Sequence, residues 1–258
     1  MVEQAYDAFD LTDWAWEYLR RNPDYQADWR AAVPKHFPAI TLCDGTTVLR
    51  LRRRYHSAER WGLQAFADPA QRARAGPVFW HPEAWRGVIR MNCHQPTQRR
   101  DRSPLSLAQF CAQRFAIVAI DGTTTLTLKG YGVAVGLIVQ GWEVLTRPVV
   151  ATIELEAFHE FASQLECLRV LQRLAEPSSQ SAINRSQWGP AGRLHQALIA
   201  LDGSLAGASY RTIADMIFGE ARVNGEWNAA SRFLKDRVRR LVGKGHELMN
   251  GGYRELLK

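Results

Sequence analysis

The chain has 258 residues, a hydrophobic fraction of 46% and a charged fraction of 23%, with a mean hydropathy of −0.28. Those values exclude a disordered, collagen-like or membrane-embedded chain, and no apolar run approaches the roughly 20 residues that span a bilayer. The net charge of +7 is clustered: residues 50–102 carry twelve Arg against four acids, and residues 231–244 carry six basic residues against Asp236 alone. Clustered basic charge is the footprint of a polyanion binder.

The four cysteines, Cys43, Cys93, Cys111 and Cys167, form no C-x-x-C pair. They read as reduced, structural thiols of a cytoplasmic protein, neither a disulfide framework nor a zinc site. No metal and no cofactor is expected, and no leader sequence is expected at the start.

In chain order, residues 11–33 read as helix, capped by Thr12 or Asp13, interrupted at Asn22-Pro23 and ended by Pro34. Trp14, Trp16, Tyr18, Tyr25 and Trp29 are dense there and point to core or a docking surface. Asp44-Gly45 between two β-branched runs predicts a hairpin. Residues 92–106 read as an exposed linker, so the expected domains are 1–100 and 101–258.

Phe115–Ile120, Asp121-Gly122 and Thr123–Lys129 predict a second hairpin with a two-residue type I′ tip, and Val133–Val139 a further strand. Near residue 152 the period changes from 2 to 3.6. From Ile153 to Leu174, Phe158, Phe161, Leu165, Leu168 and Leu171 step by three or four and mark a Glu-rich helix expected to pack on the sheet. Residues 176–191 read as a second linker and 192–258 as almost all helix. The expected fold class is α+β: an N-terminal helical and aromatic module, a central antiparallel β-sheet over about 110–150, and a C-terminal helical domain.

Within that last domain, Ser209 caps a short helix that carries Ile213, Ile217 and Phe218 on one face and stops at Gly219. A nine-residue loop, 220–228, is expected next. Ser231 or Asn228 then caps a long helix in which Leu234, Val238, Leu241 and Val242 form a buried stripe. Arg232, Lys235 and Arg239 share an exposed face beside it. A short capped helix followed by a basic amphipathic one is the logic of a variant helix-turn-helix. Arg232, Lys235 and Arg239 are the expected base readers, and Arg237, Arg240, Lys244, Tyr210 and Arg211 the expected phosphate contacts. Asp236 is expected to orient Arg232 or Arg240 across one turn.

Catalytic signatures are missing: the chain has no G-x-x-x-x-G-K-[ST], H-E-x-x-H or G-x-S-x-G. Asp121 with Thr127-Leu128-Lys129 outlines a nuclease strand pair, but Thr127 stands where a second acid is required. The chain is not expected to be an enzyme.

Ser209–Ala214, Trp227, Leu234–Leu241 and Met249–Leu257 together resemble a family of proteobacterial transcription regulators with a variant helix-turn-helix, long described only as a domain of unknown function. Asp13–Tyr25 resembles the companion domain that precedes it, and Pro77–Glu83 matches the style of these proteins. The two-domain order is similar to that of excision activators of integrative and conjugative elements. The resemblance implies a nucleoid-associated activator of excision or transfer genes that binds double-stranded promoter DNA. RNA polymerase and a small antiactivator of the same domain family are the further candidate partners. The alternative is a protein-interaction module that acts as an antiactivator without touching DNA.

Overall fold

The computed structural model describes residues 9–32, 38–96, 104–154, 161–176, 188–227 and 233–258. Helix α1 (Leu11–Leu19) starts where the sequence pattern places it, but its cap lies two to three residues before the expected Thr12 or Asp13. Its cap is Asp10, whose carboxylate accepts the N–H of Thr12 and Asp13 while Asp13 reaches back to the Asp10 N–H. Asn22 caps α2 (Pro23–Ala31) in the same manner, with Pro23 at the first helical position, where a missing N–H costs nothing. Residues Thr12 to Leu19 are all buried. A helix enclosed on every side is a core element rather than a docking surface, which settles the role of Trp14, Trp16 and Tyr18; Tyr25, on α2, is buried against the same core.

The sheet has seven strands: β1 (Ala39–Thr41), β2 (Thr47–Arg50), β3 (Val88–His94), β4 (Gln113–Val118), β5 (Thr123–Gly130), β6 (Val133–Gln140) and β7 (Val150–Glu154). A one-turn helix α3 (His56–Glu59) lies between β2 and β3. The spatial order is β1-β2-β4-β5-β6-β3-β7. The α+β class and the β4-β5-β6 antiparallel meander follow the sequence pattern. The sheet itself is mixed: β2 runs parallel to β4 and β3 parallel to β6. A three-stranded meander has two open edges of unpaired N–H and C=O groups. Strands from before residue 100 cover both, so one sheet is built from both halves of the chain. β3 carries only two inward apolar side chains, Ile89 and Met91, before it runs into the polar stretch expected as a linker from residue 92, so its last residues, Asn92 to His94, correct that expectation.

The two Asp-Gly tips share one geometry. Gly45 and Gly122 have φ of 85° and 84°, while Asp44 and Asp121 are not left-handed. Each Asp carboxylate accepts the N–H two residues on, from Thr46 and Thr123. These are three-residue loops with glycine at the left-handed position, not the expected two-residue type I′ tip. The type I′ turn lies instead at Tyr131-Gly132, with φ of 52° and 74°, between the paired residues Gly130 and Val133.

Helix α4 (Phe161–Ala175) lays Cys167, Val170 and Leu174 into one sheet face, among Leu126, Leu128 and Leu137. A second core joins the two ends of the chain. Trp14, Trp16, Tyr18, Leu19 and Tyr25 pack with Leu198, Leu201, Leu248, Met249 and Tyr253. Hydrogen bonds cross this junction from the Tyr18 hydroxyl to the Leu194 carbonyl at 2.7 Å and from Asn22 Nδ2 to the Met249 carbonyl at 3.1 Å. Arg21 makes a two-pronged pair with Asp202 at 2.5 and 2.8 Å.

Charge is buried at the start of α1. Lys129 on β5 lies 2.6 Å from Asp13 and 3.6 Å from Asp10, and Arg74 lies 3.2 Å from Asp13. Burial and the neighbouring Asp10 push the Asp13 carboxyl up to about 6, against the pull of Lys129. Burial alone would also raise Glu17, but the Ala73 N–H, Arg21 and Arg20 outweigh it and hold that carboxyl below its usual range.

Candidate nucleic-acid interface

Four helices form the C-terminal domain: α5 (Trp188–Leu205), α6 (Tyr210–Phe218), α7 (Glu220–Glu226) and α8 (Phe233–Met249). Ser209 caps α6 by accepting the Thr212 N–H at 3.2 Å. Gly219, at φ 83°, ends α6 and opens α7 at once. The expected nine-residue loop is therefore a helix over residues 220–226. Asn224-Gly225 reads as a turn locally, but Val223 is fully buried under α6 and α8 and carries the segment into helical register. The proposed caps Ser231 and Asn228, and Arg232 itself, lie outside the described residues.

Ile213 and Ala214 from α6, Val223 from α7, and Leu234, Val238 and Val242 from α8 form a small core with Ala200 of α5. The expected stripe on α8 is thus the buried one, with Leu241 at its margin. The helices approach closely at two glycines. A Cβ on Gly245 would stand 2.7 Å from the Ala197 carbonyl oxygen, and one on Gly203 2.8 Å from Ile213 Cγ1. The C-terminal half of α8 enters the other core through Leu248 and Met249. One helix therefore ties the candidate reading unit to the N-terminal module.

The remaining predicted residues divide by environment. Lys235 is half-buried, with its ammonium 5.3 Å from the centre of the Trp227 ring. Arg237, on the opposite flank of α8, lies 4.8 Å over Phe218 and donates to Gln196 Oε1 at 3.3 Å. Arg222 of α7 approaches the same Phe218 ring at 5.7 Å. Arg239 points outward, with its side chain 70% exposed, and pairs with Asp236 at 3.2 Å. Arg240 is exposed and donates to the Asp236 backbone carbonyl at 3.4 Å. The Asp236 carboxylate thus serves Arg239 at i,i+3, not Arg240. Lys244 is exposed and pairs with Glu247 at 2.7 Å. On α6, Tyr210 is 45% exposed, and Arg211 donates to Asn224 of α7 at 2.8 Å.

Sequence pattern did not single out Phe218 and Trp227 as supports for cations. The signal was present: each aromatic lies at a helix end close to basic side chains of the helices that follow, Phe218 before Arg222 and Trp227 before Lys235, where a flat ring can seat a cation.

Asp121 and Lys129, the outline of a nuclease pair, lie at opposite ends of β5. They are separated by about 26 Å of extended chain. Asp121 is exposed at a hairpin tip, and Lys129 is held by Asp13. Among the described residues, no group of three or more His, Cys, Asp or Glu side chains is placed to hold a metal ion, and no helix is long and apolar enough to cross a membrane.

Comparison with known families matches both ends of the chain. Residues 153–258 match a family described as a T6SS transcription factor DNA-binding domain. Residues 2–64 match a proteobacterial transcriptional regulator-like domain. The chain is a proteobacterial DNA-binding transcription regulator. No curated protein matches it. The DNA-binding match covers α4 to the C-terminus and so contains the whole helical cluster described above.

Proposed function

We propose that this regulator recognises a specific promoter duplex through α8, with Arg239 and Lys235 reading bases. Arg232, outside the described residues, extends that set toward the start of the helix. Arg240, Lys244, Tyr210 and Arg211 contact phosphates, and Arg237 braces the helix beside them. The observation that carries this reading is the outward face of α8: Arg239 and Arg240 stand exposed on a helix whose other side is fixed in a core. Arginine in that position donates to both N7 and O6 of guanine.

The two-domain order supports an activator of excision or transfer genes of a mobile element, acting at the nucleoid with RNA polymerase and opposed by a small antiactivator of the same domain type. A pure antagonist that binds another regulator has no use for an exposed basic helix, which favours the DNA-binding reading. The matched domain's own description names a type VI secretion transcription factor, so secretion genes are the competing target class. Footprinting on the chromosome and on the element separates the two.

The direct test is a binding series on cognate and scrambled duplexes, with folding checked by thermal melt. Lys235→Ala or Arg239→Ala costs about 1–3 kcal/mol on the cognate duplex and relaxes base preference at the contacted position. Parent affinity falls by roughly 10³ between about 50 and 200 mM salt if some six phosphates are neutralised. Variants that fold and bind both duplexes like the parent would remove α8 as the reader.

A further inference from the structure

The Arg-rich segment that follows β2 is not used by the α8 interface. Arg50, Arg52, Arg53 and Arg54 are all exposed, while Leu51 between them is buried. The Leu51 N–H donates to the Val118 carbonyl at 2.9 Å, which extends the pairing of β2 with β4 one step past the strand. Arg50 and Arg52 flank this anchored residue, so both project outward from fixed backbone, about 7 Å apart. Neither has an ion-pair partner among the described residues. Arg53 lies 5.2 Å over the Tyr55 ring. Arg54 is clamped by both oxygens of Glu59 at 2.9 and 3.0 Å, and the same carboxylate also meets His56 at 2.9 Å. Glu59 is therefore spent on Arg54 and His56. Glu83 and Asp121 act on Arg54 only at longer range.

We propose that Arg50, Arg52 and Arg53 form a second, sequence-independent contact to the DNA phosphate backbone, separate from α8. This rests on the reading of the chain as a duplex-DNA binder. Three features favour phosphate. The cations are guanidiniums, whose planar forks match phosphate oxygens. The paired backbone at Leu51 fixes where Arg50 and Arg52 emerge, and the Tyr55 ring seats Arg53, so the cations are presented together. The segment 50–56 also offers no large exposed aliphatic side chain of the kind that anchors a protein interface. Such a contact adds affinity and salt dependence but no base preference.

The test uses the full chain and three proteins: the parent, the triple variant Arg50→Ala/Arg52→Ala/Arg53→Ala, and Arg239→Ala. Affinity is measured against salt on cognate and scrambled duplexes with long flanks. The triple variant should lower the log–log salt slope by about 2–3 and weaken both duplexes equally, leaving their ratio unchanged. The triple Lys variant, which keeps the charge, should restore most of the slope. An unchanged slope in a folded triple Ala variant overturns the proposal, and capture of an acidic protein by the parent alone would reassign the patch. A lowered slope together with intact discrimination in Arg239→Ala would instead sink the α8 reading and leave this one standing. Loss of discrimination in Arg239→Ala with an unchanged slope in the triple variant would do the reverse.

Discussion

Helices α1 and α8 are both rich in charge and use it in opposite ways. In α1, Asp13 and Glu17 are almost completely buried, and each is met by cations: Asp13 by Lys129 and Arg74, Glu17 by Arg20 and Arg21. In α8, Lys235 and Arg237 rest on aromatic rings, and Arg239 and Lys244 pair with acids one turn away on the same helix. Exposed pairs of that kind contribute about 0–1 kcal/mol. Buried pairs lose several kcal/mol when one partner is removed, because an uncompensated charge stays behind. The charge of α1 therefore belongs to folding. That of Arg239, Arg240 and Lys244 on α8 is nearly surplus to folding and is available to a ligand.

The largest expected effect tests the α1 side. Lys129→Met leaves Asp10 and Asp13 facing each other with Arg74, 3.2 Å from Asp13, as the remaining cation, and should lower stability by about 3–5 kcal/mol. The sign of its pH dependence is fixed by Asp13. Its folded value of about 6 lies above the ordinary 3.8, so ionising it opposes folding. The stability it contributes is complete below the unfolded value and is lost as pH rises through about 6. Lys129 offsets that loss, so the penalty for removing it should be larger at about pH 7 than at about pH 5, on either side of the Asp13 transition. Glu17, held low, acts in the opposite sense, as stability lost on acidification. Urea unfolding at the two pH values reads the difference. A variant as stable as the parent at both would erase the contrast between the helices.

Backbone approach offers the next test. Gly245→Ala places a methyl 2.7 Å from the Ala197 carbonyl and 2.8 Å from Leu201 Cβ. It should cost about 1–3 kcal/mol, because the obstacle is largely backbone. Gly243, two residues earlier on the outer face, has nothing within 4 Å. Gly243→Ala should stabilise the helix by about 0.5–1 kcal/mol through helix propensity alone. Thermal melts of the two variants must move in opposite directions, or α8 does not cross α5 as described.

How far sequence carried the reading differs between the same two regions. The stripe Leu234, Val238 and Val242, the Ser209 cap and the Gly219 stop are local signals at the right period, and they are visible without the fold. Helix α7 is not, because Asn224-Gly225 argues for a turn and only the tertiary burial of Val223 overrules it. The parallel pairings of β2 and β3 are also invisible, since edge coverage pairs residues 68 and 48 positions apart in the chain. Lys129 reads locally as a strand residue. That it joins Asp10 and Asp13 is a contact over more than 100 residues, beyond any periodicity argument.

A smaller effect concerns Arg237, which pattern alone places among the phosphate contacts. Its guanidinium over Phe218 and its bond to Gln196 join α8 to α6 and α5. Arg237→Ala should therefore lower stability by about 0.5–2 kcal/mol through the lost cation–π contact and packing, and should change the salt slope of DNA binding by less than Arg240→Ala does. Equal slopes with an unchanged melting temperature would return Arg237 to the phosphate class.

The smallest effect is expected at Lys244, and it isolates what an exposed charge on α8 does. Its Glu247 partner is one turn away and itself exposed, so removing the ammonium leaves no buried charge behind. Lys244→Ala should shift stability by no more than about 0.5 kcal/mol. On DNA the same change should lower the salt slope by about one while weakening cognate and scrambled duplexes alike. The Glu247→Gln variant sharpens this, because it frees the ammonium without removing it. If Lys244 meets a phosphate, Glu247→Gln binds both duplexes slightly more tightly than the parent. If Glu247→Gln and Lys244→Ala both bind like the parent at low salt, the phosphate track along α8 ends before this turn, and the DNA-facing part of the helix is its N-terminal half.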